Sequence, residues 1–511
     1  MRVSPFFLIL FCCLPATCLH AQSTADLLKS GSDKIQKADY RGAIRDFSQV
    51  LMVDSRIHEA WEGRATAKIK AGNLAGAYED VNQSLALSRT RHQSYGIRGL
   101  IRSESGDLEG GMADLDRAIA LEPNYAEGFY YRGAIKQATG DSKGAIADLE
   151  RAIEAKPDFA QAYTDLVNLL LARDQGDLAA KYLDKAIALN PRQKENHATR
   201  GMMGLRKKDF VAAEKDFSRV IQLDSADADA YMRRGTARKE QQQYEQALQD
   251  LDKAIRLKSD LEPAYYERGT VRNLLGNYKE ALADYGQVLR LNPSNANVHY
   301  DAGVAALNLR DFKAAEQYFS TALLYRSTDA EALYYRGVSR SRTDNKKGAE
   351  SDFSRAIQSG YKNPQVYRER ALMRMELNRY ADAASDWSQL LDKEPQNAVA
   401  HYFRGLSYFQ QFQYDKAIAA YDEAIKLNPV YENALFDRAA AKANKKDYPG
   451  SLEDYTKVLE INPQSGRAYY SRGRVRIGNK DREGGCPDIK KALELQFKPD
   501  EKELRKLGCG G

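Results

Sequence analysis

The sequence predicts an all-α solenoid closed by a helix at its C-terminal end, and three observations carry that reading. A 34-residue unit, clearest at Glu262–Asn295, recurs fourteen times from Thr24 to Pro499 without insertion or deletion; a fixed period of this length marks a stacked repeat protein. Small residues recur at two places of the unit, where two helices can approach closely. Turn residues and a closing proline divide each unit into helix, short turn, helix, turn.

Place eight is Gly in ten copies, from Gly31 to Gly473, and Ala65, Ala371, Ala439 and Val167 in the others. Place twenty runs from Ala43 through Ala281 to Ser451 and Gly485, and place twenty-four carries Phe47, Val81, Phe217, Tyr285, Phe353 and Trp387 or their counterparts. Turn pairs such as Gly140-Asp141 and Gly276-Asn277 separate the two helices. Pro ends the second helix in seven copies, from Pro123 to Pro463. One such helix pair cannot bury its apolar face alone, so stacking on neighbours must do it. The pattern resembles the tetratricopeptide repeat over nearly the whole chain after the leader, residues 22–499. That resemblance implies a right-handed superhelix whose first helices line a concave groove where partners bind.

Place seven is Arg in eleven copies and place twenty-three is Asp in eleven, with ten copies holding both, among them Arg132 with Asp148, Arg268 with Asp284 and Arg370 with Asp386. Copies five and nine lose both members together (Leu166 with Tyr182, Ala302 with Tyr318). That joint loss predicts an ion pair bridging the two helices within one copy, rather than a pair between neighbours. Copies one (Ser30, Asp46) and twelve (Arg404, Ala420) depart from the rule.

An apolar content of 43% and a charged content of 29% are ordinary for a folded chain, and a net charge of +6 over 511 residues, with no basic cluster, gives no argument for nucleic acid. His197, His299 and His401 all occupy place four, each three copies from the next. At roughly 30 Å spacing they share no metal and read as packing residues.

Residues 1–21 have the form of a secretory signal peptide: Arg2, the apolar run Phe6–Leu14, and Leu19-His20-Ala21 before the cut. Nine apolar residues are too few to span a bilayer. A lipoprotein leader is the weaker reading, because Thr17 precedes Cys18 and Cys12 precedes Cys13. The expectation is therefore a protein exported to the periplasm or beyond, with no membrane span. Beyond the leader only Cys486 and Cys509 remain, and they form either one disulfide or two free thiols. Residues 500–511 form a cap, with a helix at Asp500–Leu507 whose stripe is Leu504 and Leu507 and whose stop is Gly508.

No motif for a cofactor or metal stands in the sequence, and none is expected. The string Gly140-Asp141-Ser142-Lys143-Gly144 matches the serine-hydrolase elbow but lacks the preceding strand, so it reads as an inter-helix turn. Places five, nine and twelve share one stripe of the first helix, and only Glu62, Lys239, Arg368 and Arg474 are charged there. Place five is aromatic at Tyr130, Tyr266, Tyr300, Tyr334, Tyr402, Phe436 and Tyr470. These rings either bind a ligand or only pack against the next copy. The resemblance implies a non-catalytic scaffold or adaptor of the bacterial cell envelope that binds another protein or peptide in its groove. The alternatives are a cell-wall glycan stacked on the tyrosines, or an accessory role in an envelope enzyme complex.

Overall fold

The computed structural model describes residues 23–509, and the leader segment lies outside them. The described residues hold 29 α-helices and no strand, numbered α1 to α29 along the chain. The helices keep step with the repeat. The first helix of a copy begins at place one, as α1 (Thr24–Gln36) does, and the second at place seventeen, as α2 (Tyr40–Val53) does. Copy eleven alone starts a residue late, at Gln365, because Pro364 occupies the cap position. The chain divides into two compact units, one up to Ala230 and one from Tyr231 onward. Within each unit the two helices of copies one to six and eight to fourteen pack on one another, and a copy's second helix packs on the first helix of the next copy.

Glycine at place eight makes room for the ring at place twenty-four. A Cβ on Gly269 would lie 2.8 Å from the Tyr285 ring, and one on Gly405 would lie 2.6 Å from Tyr421. Both rings are fully buried, as are Phe217, Phe353 and Trp387. Each such side chain contributes about 2–3 kcal/mol through burial.

The inter-helix turn has a feature the residue types conceal. In all fourteen copies place fifteen takes a left-handed backbone, with φ between +59° and +88°. Only Gly72, Gly106, Gly140 and Gly276 are glycines; the rest include Ala38, Arg310, Phe412 and Lys446. The next residue caps the second helix, as where Asp39 accepts from the Gly42 N–H at 2.9 Å. Gly140 and Asp141 follow the same pattern, with the Asp141 carboxylate accepting from the Gly144 N–H at 2.9 Å. The hydrolase-like string is this turn.

Candidate binding face and its ion-pair spine

All ten Arg–Asp combinations form a two-pronged pair inside one copy. The Arg Nε donates to Oδ2 at 2.8–3.0 Å. Nη2 donates to Oδ1 at 2.6–2.8 Å. The carboxylates are buried, Asp284 with 3% of its side chain exposed and Asp386 with 2%. The third guanidinium nitrogen reaches back to place twenty-five of the preceding copy, as from Arg268 to Asp252 at 2.6 Å and from Arg370 to the Ser354 hydroxyl at 3.1 Å. In copies two to four, six, eight, ten, eleven, thirteen and fourteen the Arg thus ties its own two helices together and ties its copy to the one before. The pairing raises the pKa of Arg132, first through its bond to Asp148.

Sequence reasoning missed a second cation. Place eleven, one turn beyond the Arg, sends Lys136 to Asp148 at 2.8 Å, Arg272 to Asp284 at 2.7 Å and Arg374 to Asp386 at 2.7 Å. The signal was available. Copies five, nine and twelve, which lack the pair, have Leu170, Ala306 and Tyr408 at that place. Copy six has Gly204 there, and His197 Nδ1 approaches Asp216 at 3.5 Å instead. Copy one compensates differently: Asp46 accepts from the Ser30 hydroxyl and from Lys34, both at 2.6 Å. In copy twelve Arg404 faces the His401 ring, with Nη2 3.2 Å from Nδ1. The three place-four histidines set Nε2 2.9–3.2 Å from the carbonyls of Pro191, Pro293 and Pro395, a structural contact in each case.

The place-five rings sit at the joint between copies. Where place twenty-four is also aromatic the place-five ring rests on it, with Tyr266 to Tyr285 at 6.2 Å, Tyr300 to Phe319 at 5.8 Å and Phe436 to Tyr455 at 5.2 Å between centroids; copies four and fourteen have Leu149 and Ile489 there instead. Several also meet the residue that closes the copy, Tyr130 on Phe159 at 4.9 Å and Tyr402 on Tyr431 at 5.2 Å. Tyr334 stacks on Tyr361 at 4.5 Å. Their hydroxyls find carboxylates on the following copy: Tyr130 on Asp165 and Tyr266 on Asp301 at 2.8 Å, Tyr402 on Asp437 at 2.9 Å, and Tyr300 on Glu331 at 3.0 Å. Except for the buried Tyr470, the place-five rings remain part-exposed. Burial raises the pKa of Tyr266 and Tyr402, and the adjacent carboxylates raise it further. Burial likewise raises Asp301 and Asp437 against the lowering effect of the tyrosine bonds.

The last copy has no successor, and the cap takes that part. Helix α29 (Glu501–Leu507) starts at the capping residue Asp500 and ends at Gly508 with φ +65°. Its Glu503 accepts from the Tyr470 hydroxyl at 3.3 Å and lies 3.6 Å from Arg474. A disulfide joins Cys509 to Cys486 in α28 (Arg482–Glu494), with the two Cα atoms 5.2 Å apart.

Family profiles of the tetratricopeptide repeat match residues 132–194, 300–365, 368–432 and 407–466, and a further one matches 228–261. A profile described as a TPR repeat matches 271–309. The chain belongs to the tetratricopeptide repeat family. Among solved structures this tetratricopeptide protein is similar to the Cut9–Hcn1 hetero-tetramer of the APC/C, at 14% identity over 89% of this chain and 97% of that one, TM-score 0.34. It is also similar to MamA, at 28% identity over 32% and 96%, TM-score 0.27. A third is YrrB, a TPR protein with an unusual peptide-binding site, at 24% identity over 43% and 95%, TM-score 0.28. Comparison with curated proteins returns no match. Tetratricopeptide repeats are in general interaction scaffolds. Among the described residues no helix is long and apolar enough to cross a membrane.

Proposed function

We propose that the chain is a non-catalytic scaffold of the bacterial cell envelope that holds a partner polypeptide along the first helices of copies eight to fourteen. The observation that carries this reading is the row of aromatic rings at place five, interrupted only by Arg368 in copy eleven. The hydroxyls of Tyr266, Tyr300 and Tyr402 are already bonded to the next copy and Phe436 has none, so the polar demand of these rings is met and an apolar edge is left for a ligand. Rings repeating about every 10 Å suit an extended or helical segment. Export is supported by the leader pattern and by the Cys486–Cys509 disulfide, since such bonds persist in oxidising compartments.

A cell-wall glycan is the second reading, favoured by the carboxylates beside the rings. Asp301 and Asp437 are nevertheless engaged by Tyr266 and Tyr402, which leaves them little capacity to hold sugar hydroxyls.

The test is the triple change Tyr300→Ala, Tyr334→Ala, Tyr402→Ala in the full chain. Partner affinity, after crosslinked capture from an envelope fraction, should fall by more than about 1 kcal/mol, as buried aromatic anchors do. Faster native-state hydrogen exchange in the helices flanking the changed rings, with unchanged affinity, assigns the rings to packing alone.

A further inference from the structure

The unit ending at Ala230 carries a cleft of about 700 Å³ on the first-helix face of copies two to five. Glycines let aromatic rings pack close beside it: a Cβ on Gly63 would meet the Phe47 ring at 2.5 Å. Gly63 stands on its wall at place six, and Gly96 leaves place five of copy three empty. Tyr125 leans into that notch, where a Cβ on Gly96 would meet its hydroxyl at 2.5 Å. The rings of Tyr125, Tyr130, Tyr131 and Phe159 line the cleft.

Its charge is one-sided: Glu59, Glu62, Glu104 and Glu127 line it against Lys70 alone. Two basic residues outside the lining reach these acids. Arg91 holds Glu62 at 2.7 Å and lies 3.2 Å from Glu59, and Lys156 holds Glu127 at 3.0 Å. Among the described residues Glu104 has no ion-pair partner. Burial raises the pKa of Tyr131, and the negative charges of Glu127 and Glu104 raise it further, so both carboxylates bear on one ring.

We propose that this cleft binds a lysine- or arginine-bearing segment of a partner polypeptide, with one cationic head against the Tyr131 ring between Glu104 and Glu127. A cation there gains the ring and the unpaired Glu104, and shares Glu127 with Lys156. The aliphatic stem of the same side chain lies along Ile97 and Leu100, which line the approach. An anionic segment meets like charge, and an apolar one would strip water from Glu104 without replacing it. The chain as a whole carries +6, so its general field repels such a ligand and any affinity must be local. The site lies apart from the tyrosine row of copies eight to fourteen and is tested independently of it.

The test is calorimetric titration of the full chain with hexalysine, with hexaglutamate as the control. Hexalysine should bind one to one and hexaglutamate should not. The double variant Glu104→Gln, Glu127→Gln should weaken hexalysine at least about tenfold, the scale of two charge-assisted bonds. A matched pair on exposed second-helix positions, Glu79→Gln with Glu109→Gln, should leave affinity unchanged. Tyr131→Leu, which keeps both carboxylates, should weaken binding too and covers the case in which the double variant fails to fold. The proposal is overturned by absence of hexalysine binding, by equal binding of hexaglutamate, or by equal loss from the matched pair.

Discussion

Asp284 is held by three donors from two arginines: Arg268 Nε at 3.0 Å, Arg268 Nη2 at 2.6 Å and Arg272 Nη1 at 2.7 Å. Asp284→Ala leaves both guanidinium groups without that carboxylate in the space between two helices. Breaking a buried pair from one side costs about 3–5 kcal/mol, because the remaining charge stays desolvated. Arg268 keeps Asp252 at 2.6 Å, and 23% of the Arg272 side chain reaches solvent, which places the loss at the low end, about 3 kcal/mol.

Long repeat arrays open locally rather than all at once, so a single melting temperature is the wrong readout. Native-state hydrogen exchange of α15 (Glu262–Leu274) and α16 (Tyr278–Leu291) reads the loss where it falls. Their protected amides should exchange about a hundredfold faster. Asp54→Ala, which removes the partner of the 82%-exposed Arg56, should change exchange in its flanking helices far less. Replacing the whole cluster by Arg268→Met, Arg272→Met and Asp284→Leu should cost less than Asp284→Ala alone. Similar exchange rates for Asp284→Ala and Asp54→Ala would refute the reasoning.

Phe412 is 77% exposed with φ +60°, so Phe412→Gly should stabilise copy twelve by about 1 kcal/mol, whereas Gly276→Ala at φ +79° should cost a similar amount although nothing lies within 4 Å of the added carbon. Both are read by the exchange of flanking helix amides. The chain without its leader should show no titratable thiol until reduced, and reduction should speed exchange in α29; two thiols without reductant would show that the bond does not form. Asp437 has a raised folded pKa, so its charged form opposes folding above that pKa, and the penalty is relieved as pH falls through it. Asp437→Asn should therefore stabilise at neutral pH and lose its advantage on acidification, as followed by local hydrogen exchange across a pH series.

How much of this was legible follows from what repetition can and cannot encode. The helix boundaries could be read because Gly31 and its counterparts, the bulky place-twenty-four residues and the closing prolines each answer a steric requirement that recurs at one place of the unit in most copies or, for the prolines, in half of them. The Arg–Asp spine could be read because copies five and nine lose both members at once, which is evidence of contact inside a single sequence. The left-handed turn could not, since Arg310, Phe412 and Lys446 adopt it without any residue preference that announces it; the two helices fix the turn, and the residue at place fifteen follows. The place-five tyrosines were ambiguous for a related reason. Whether a tyrosine hydroxyl has a partner depends on the residue at place six or place two of the next copy: Asp165, Asp301 and Asp437 stand at place six, but Tyr300 uses Glu331 at place two. The cleft in copies two to five was hidden more deeply, because residues that depart from the repeat shape its walls, Gly63 on the lining and Gly96 behind the lining Tyr125 among them. A period shows what all copies share, which is the scaffold; specificity has to be written in the copies that break it.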